Sequence, residues 1–294
     1  MFTSRLRVAA SAGLVGLMAG AAATECFRNS PRVEAATLIP LQSTAVEHRP
    51  SEIMKHGFPG MDNVRFFSDY VLSYDKRNRT AHWVMERLTA ESIRRSDAVK
   101  RENCEFREDP SIHPYFRSSN ADYKRSGFDR GHLAAAGNHR LSQQHCDETF
   151  FLSNMSPQVG KGFNRDSWNR LENHMRQLTR NYKNVYVCTG PLYLPRREAD
   201  GNSYVHYRVI GNNNVAVPTH FFKVAICETS AGELDMEAYV MPNAVIDDAT
   251  PLQAFQVPLD TIERSAGLLL FERVENLRSL NGRAPPKMLR PKLA

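Results

Sequence analysis

Cysteines at metal-binding spacing are missing from this chain. Its five cysteines, Cys26, Cys104, Cys146, Cys188 and Cys227, are widely scattered, with no CxxC and no short Cys–His spacing. That pattern argues against a structural zinc site, and the odd count argues against a disulfide framework. Cys188 and Cys227 fall in apolar, strand-like runs, where a thiol acts as a small hydrophobe. Cys104 and Cys146 lie in polar surroundings, and nothing near them in sequence makes either a nucleophile. Long apolar runs are scarce too. The one extended stretch, Val8 to Thr24, is 17 uncharged residues rich in Ala and Gly. It is weakly hydrophobic and marginal in length for a membrane span, so no stable span is expected in the mature chain. Acids are absent before Glu25, while Arg5 and Arg7 precede the apolar run. Basic, acid-poor and then apolar fits a mitochondrial presequence with a sorting stretch or a secretory signal; the mitochondrial reading is preferred. No internal repeat or low-complexity tract occurs.

What is present suits a folded, basic protein. The 294 residues are 41% hydrophobic and 24% charged, with a net charge of +6 and a pI of about 9.1. This is enough apolar content for a packed core, and the charge fits a polyanionic partner without requiring one. The basic residues are striped: Lys161 to Lys183 holds six basic and two acidic residues, and Arg278 to Lys292 holds five basic and no acidic ones. Residues 1–47 are expected to be targeting segment and the start of a linker that continues through 48–60, interrupted by Pro31, Pro40, Pro50 and Pro59. A folded domain is expected over 61–276 and a basic tail over 277–294. Arg65 to Tyr74 and Ala81 to Thr89 predict a hairpin around the polar turn Asp75 to Arg79. Residues 91–127 read as a long loop. Thr149 to Met155 and Asn184 to Leu194 read as strands, and Val205 to Ile210 with Val215 to Glu228 as a second hairpin. Leu234 to Met241 adds a strand, and Asp260 to Phe271 reads as helical. Strands and helices without βαβ alternation indicate an α+β fold.

The chemistry concentrates in Asp129-Arg130-Gly131-His132, Asn154, Asn164 and Glu172. Histidine takes a proton from water near neutral pH, arginine offers fixed donors to phosphate oxygens, and an amide oxygen suits a strongly hydrated magnesium ion. Asn164 to Tyr182 carries Trp168, Leu171, Met175 and Leu178 at helical spacing, so Asn164 in the first turn and Glu172 two turns on can share one side. Alone, each is ambiguous: a loop histidine is usually solvated, and an Asn and a Glu on a helix are ordinarily an N-cap and a surface charge. Together they are the parts needed to hydrolyse a phosphodiester.

Asp129 to Ala136, Phe151 to Gln158 and Asn164 through Trp168 to Glu172 resemble the DNA/RNA non-specific endonuclease family. Tyr186 to Leu192 and Val215 to Lys223 are similar to one mitochondrial branch of it. The resemblance runs in order from about residue 56 to 276. It implies a ββα-metal core on a mixed, largely antiparallel sheet flanked by helices, with His132 ending the first strand, Asn154 on the second and Asn164 on the helix. It implies an Mg²⁺-dependent endonuclease, with Mn²⁺ as a substitute, that cuts DNA and RNA to 5′-phosphate and 3′-hydroxyl ends. His132 would be the general base and Asn164 the only protein ligand of the metal. Glu172 would orient metal-bound waters, Asn154 would steady the imidazole or the phosphate, and Arg130 would neutralise charge on phosphorus. Arg107 is the candidate for a second phosphate-binding arginine. With no base-reading helix and no aromatic-rich RNA platform, sequence preference should be weak. The branch further implies a homodimer in the mitochondrial intermembrane space, with relocation to the nucleus to fragment DNA in cell death. Departures are small: Gly137 stands where many relatives carry Ala, and Pro110 where an acid is common. The rival readings are a secreted or lysosomal nuclease and an inactive nucleic-acid-binding homologue.

Overall fold

A computed structural model of the chain describes residues 50–274 and the backbone of Arg278–Ser279. The targeting segment and nearly all of the basic tail lie outside these residues. Nine segments carry the architecture: β1 (Val64–Phe66), β2 (Tyr70–Asp75), β3 (Thr80–Leu88), β4 (Asp129–His132), β5 (Met155–Gln158), β6 (Asn184–Leu192), β7 (His220–Glu228), β8 (Leu234–Pro242) and β9 (Arg278–Ser279). Seven of them form one sheet in the order β1-β2-β3-β6-β7-β8-β9. Every pairing in it is antiparallel except β8 with β9. β4 and β5 form a separate antiparallel ribbon. The longer helices are α1 (Ser167–Leu178) and α2 (Leu259–Ala266).

The sheet is covered on both sides, which explains why its strands read as unbroken apolar runs. Alternate side chains leave on opposite faces. Leu72, Val84, Val187 and Phe221 join Trp168, Leu171 and Met175 of α1 in one core. Val71, Trp83, Met85, Cys188 and Phe222 join Leu259 and Ile262 of α2 in the other. All nine residues of β6 are buried, as expected for its central place.

Several boundaries differ from the sequence reading. The segment expected as linker contributes a helical turn at Pro50–Ile53, with Ile53 and Met54 in the α2-side core. Arg65 to Tyr74 is two strands rather than one, because the chain reverses between Phe66 and Tyr70. The loop 91–127 carries short helical turns, including Asn120–Tyr123. The strand expected at Thr149 to Met155 is displaced: Leu152–Asn154 is a single 3-10 turn and the strand starts at Met155. In the second expected hairpin only Val209–Ile210 pairs with Val215–Ala216, and β7 pairs with β6 and β8 instead. Gly211 in the left-handed region turns that short ribbon, and sheet pairing outweighs the local turn signal for the long strand.

Gly190 has no room for a side chain. A Cβ there would stand 2.6 Å from the carbonyl oxygen of His82 and from the Phe222 ring. Gly190→Ala should therefore destabilise the protein by about 1–3 kcal/mol through overpacking, read as a lower urea midpoint. An unchanged midpoint would mean that β6 can shift without cost.

Candidate active site

The β4–β5 ribbon and α1 face a cleft of about 770 Å³. Its wall includes Arg130, His132, Asn164 and Glu172, so the structure brings four of the six expected site residues together. Gly131 lets the ribbon close: a Cβ there would overlap the Gln158 side chain, which lies fully buried against it.

His132 ends β4, opposite Met155. Its ring lies between Phe150, edge-to-face at 4.8 Å between centroids, and Phe106 at 5.8 Å. It is 9% exposed, and its Nε2 has no hydrogen-bond partner. Burial, reinforced by the positive charges of Arg101 and His139, pushes its pKa down to about 3. The imidazole is thus neutral. An anion entering the cleft would raise that pKa toward the range of a useful base.

Asn164 is displaced from the expected position. It ends a wide turn, Gly160–Asn164, and the helix proper begins only at Ser167 because Asp166 leaves helical dihedrals. Gly162 makes the turn possible with φ of +88°, and Asn164 N–H donates to the Val159 carbonyl at 2.9 Å. Such five-residue bonds are uncommon and recur at functional sites. The Asn164 Nδ2 donates to Asp129 Oδ2 at 3.0 Å. Asp129 also holds Arg165, through Nε at 2.8 Å and Nη2 at 2.7 Å, and these partners keep its carboxyl below the usual range. With the amide nitrogen committed to Asp129, the Oδ1 is the atom left to accept. A hard neutral oxygen of this kind fits a hydrated Mg²⁺. Among the described residues no three His, Cys, Asp or Glu side chains cluster as metal ligands.

Glu172 reaches the same cleft from α1, with Asn169 and Arg176 on the same stripe. Burial raises its pKa, opposed by Lys223 and Arg176. Arg130 is held on both sides: Nη1 donates to Asn120 Oδ1 at 2.6 Å, and the guanidinium lies 4.0 Å from the Phe106 ring centroid.

Two expected residues are not in the cleft. Asn154 is fully buried on the turn before β5, not on the strand. Its Oδ1 accepts from Ala134 N, and its Nδ2 donates to the Ala134 and Thr149 carbonyls. It fastens the chain just past His132, and no hydrogen bond joins it to the imidazole. Arg107 bridges to Phe151 in the backbone and stacks over that ring at 4.3 Å, outside the cleft lining. The preceding loop contributes Arg101 instead. Sequence reading also missed Arg140, Arg176 and Tyr123, whose hydroxyl is buried without a partner. Only the basic stripe through Lys161–Lys183 signalled Arg176. Cys104 and Cys146 are both free thiols with sulfurs 3.2 Å apart, and Cys146 is buried rather than solvated.

A profile of the family described as DNA/RNA non-specific endonuclease matches residues 49–277. The chain is 50% identical over 291 residues to "Endonuclease G, mitochondrial" of Caenorhabditis elegans, covering 92% of this chain and 94% of that protein. It is 56% identical over 223 residues to the Homo sapiens protein of the same name, covering 76% and 74%. Its fold is similar to the crystal structure of an EndoG/EndoGI complex, described as showing the mechanism of EndoG inhibition. That match has a TM-score of 0.80 and 63% identity, and covers 83% of this chain and 100% of that one.

The two buried histidines should titrate in opposite directions. His139, 2% exposed between Asp69 and Glu86, has its pKa raised to about 9 by those carboxylates, against the cost of burial. His132 therefore adds stability above pH 6.5 that fades as the pH falls, and His139 adds stability below pH 6.5 that is lost on passing about 9. Histidine NMR should show no His132 titration between about pH 5 and 8. A His132 midpoint near its ordinary value would contradict the buried, neutral ring.

Proposed function

The chain belongs to the DNA/RNA non-specific endonuclease family, and we propose that it is a mitochondrial, magnesium-dependent member that hydrolyses DNA and RNA to 5′-phosphate and 3′-hydroxyl ends. One observation carries this reading: a neutral, buried imidazole shares a cleft with a fixed guanidinium and a pre-turned amide oxygen.

In this reading the His132 imidazole accepts the proton of the attacking water. The phosphate that His132 serves also raises its basicity by its own charge, so the base strengthens when substrate is in place. Arg130, anchored by Asn120 and Phe106, donates to the phosphate oxygens and offsets the charge that builds in the transition state. Asn164 Oδ1 would hold Mg²⁺, or Mn²⁺ in its place, with Glu172 beside it to orient coordinated water. The cation, when bound, supplies Lewis-acid stabilisation of the phosphate and of the leaving 3′ oxygen. Asn154 acts at one remove, setting the chain direction at Leu133-Ala134 and so the aim of His132. Arg107 has no part in it, and Arg101 takes the place assigned to it.

Weak sequence preference follows from cations that meet the phosphate backbone, which is alike for every base. The mitochondrial names of the relatives support the same address here. Residence in the intermembrane space, a homodimer, and relocation to the nucleus to fragment DNA in cell death belong to the same proposal and rest on the resemblance. A secreted nuclease would share this site and differ only in the leader, which localisation of a tagged chain decides. An inactive binding homologue would have lost a site residue, whereas His132, Asn164 and Glu172 are all present.

Residues 48–294 should nick supercoiled plasmid in magnesium and not in chelator. His132→Ala should lower the rate about 100-fold or more, and near-normal turnover would remove His132 from the mechanism. Asn164→Ala should shift the magnesium titration to higher concentration; superimposable curves would show that the ligand lies elsewhere.

A further inference from the structure

Beside the cleft two thiols meet. Cys104 follows the short turn Arg101–Asn103, and Cys146 lies on the short helix Gln143–Glu148. They are 42 residues apart in sequence, yet their sulfurs stand 3.2 Å from each other. A disulfide is about 2.0 Å long, so bond formation needs roughly 1 Å of approach. Gln143 already holds the two segments together. Its Oε1 accepts from Lys100 N at 2.8 Å, and its Nε2 donates to the Lys100 carbonyl at 3.1 Å and to Cys104 Sγ at 3.3 Å. Cys188 and Cys227 cannot pair with each other, because they belong to the two cores on opposite faces of the sheet.

The pair sits where a cross-link reaches the site. Cys104, Cys146, Val99, Ala136, Phe106 and Phe150 form one apolar cluster, and Ala136 and Phe106 also line the cleft. Phe106, two residues beyond Cys104, and Phe150, four beyond Cys146, are the rings that flank His132. Phe106 also lies against the Arg130 guanidinium. Joining Cys104 to Cys146 therefore fixes the segments that carry both rings. The two sulfurs differ in access: Cys104 is partly exposed, whereas Cys146 is 1% exposed. A small disulfide thus reaches Cys104 first, and Cys146 is placed to resolve it. Burial, helped by the Asp147 carboxylate and by Cys146, raises the Cys104 pKa. Little thiolate is present near neutral pH, so exchange is slow. The pair suits a lasting cross-link better than a rapid sensor.

We propose that Cys104 and Cys146 are a disulfide-forming site, and that the bond clasps the 99–107 loop to the helix Gln143–Glu148 beside the rings that flank His132. The reagent is a small disulfide such as oxidised glutathione. The Cys104 thiolate attacks one of its sulfurs, forming a mixed disulfide and expelling one thiolate. The Cys146 thiolate then attacks Cys104 Sγ, closing the protein disulfide and expelling the second thiolate. Each expelled thiolate takes up the proton that the attacking cysteine gave up. Two protein thiols and one small disulfide thus become one protein disulfide and two small thiols. Thiols already held in contact favour closure over persistence of the mixed disulfide. Neither the bond nor its effect on stability depends on the nuclease reading, since both are measured without substrate.

The full chain carrying Cys26→Ser, which removes the cysteine outside the described residues, should be treated with oxidised glutathione at mildly alkaline pH, where thiolate forms. Peptide mass mapping without reduction should then find Cys104 linked to Cys146, with Cys188 and Cys227 still free. Free thiols at both positions, or glutathione retained on Cys104, would overturn the proposal. The oxidised chain should unfold in urea at a midpoint about 1 M higher than the same chain reduced with dithiothreitol, because the bond constrains the unfolded chain over a long loop. Dithiothreitol should not move the midpoint of Cys146→Ser, and an equal shift in both chains would count against the clasp. Backbone hydrogen exchange across 99–107 should be about tenfold slower in the oxidised chain. A cross-link that changes neither midpoint nor exchange would also overturn the clasp, since the segments would then be fixed without it. If Cys146→Ser does not fold, Cys104→Ser, at a partly exposed position, gives the same control.

Discussion

The carboxylate of Asp129 is the contact on which the site depends. It begins β4, the strand that ends in His132, and it grips the wide turn ahead of α1 through Asn164 and Arg165. Strand and helix therefore meet at one anion, and the two side chains to which the proposed function gives the chemistry, the imidazole and the amide, are placed relative to each other by it. The grip also fixes the amide's sense. Because a carboxylate can only accept, Asn164 must turn its NH₂ inward and its oxygen outward. Gly160 and Gly162 make the close approach possible: a Cβ on Gly160 would come within 2.9 Å of Asp129, and Gly162 takes a backbone conformation that side chains disfavour.

Charge is distributed in layers around this contact. Outermost are the cations that line the cleft, Arg101, Arg130, Arg140 and Arg176. Beneath them lie groups that a purely stable protein would not bury: Glu86, His139 and Asp69, and Lys223 on β7, whose Nζ donates to Thr189 and lies over Trp168. His132 occupies the boundary. It is dry enough to stay neutral, and it is close enough to the cationic cleft for an incoming phosphate to change its basicity. On the proposed function, a base set this way does little until the substrate supplies the missing charge.

Much of this was legible in the sequence, and the failures share a cause. The Asp129 to His132 motif located two side chains of the cleft, His132 and Arg130, and the apolar spacing of Trp168, Leu171, Met175 and Leu178 located the packed face of α1. The α+β class followed from strand patterning, and the largely antiparallel sheet from the family resemblance. Asn154 was misplaced because an asparagine between a hydrophobic stretch and a strand looks the same whether it faces substrate or closes a backbone turn. Arg107 and Arg101 could not be told apart either: which arginine of a long polar loop enters a cleft depends on how the loop packs, here with Arg107 stacked on Phe151. The role of Asp129 was invisible for a similar reason, since its partners lie 35 and 36 residues away. Local pattern records faces and periods, and it does not record which distant groups meet.

The central claim is that Asp129 turns Asn164 so that its amide oxygen is the protein's one ligand to the cation. Manganese anomalous diffraction from crystals of the His132→Ala protein soaked with Mn²⁺ and a short oligonucleotide tests it directly. The account predicts a single peak bonded to Asn164 Oδ1, with Asp129 still paired to the Asn164 Nδ2 and to Arg165. A peak bonded to the Asp129 carboxylate, with Arg165 released and the amide turned away, would contradict it.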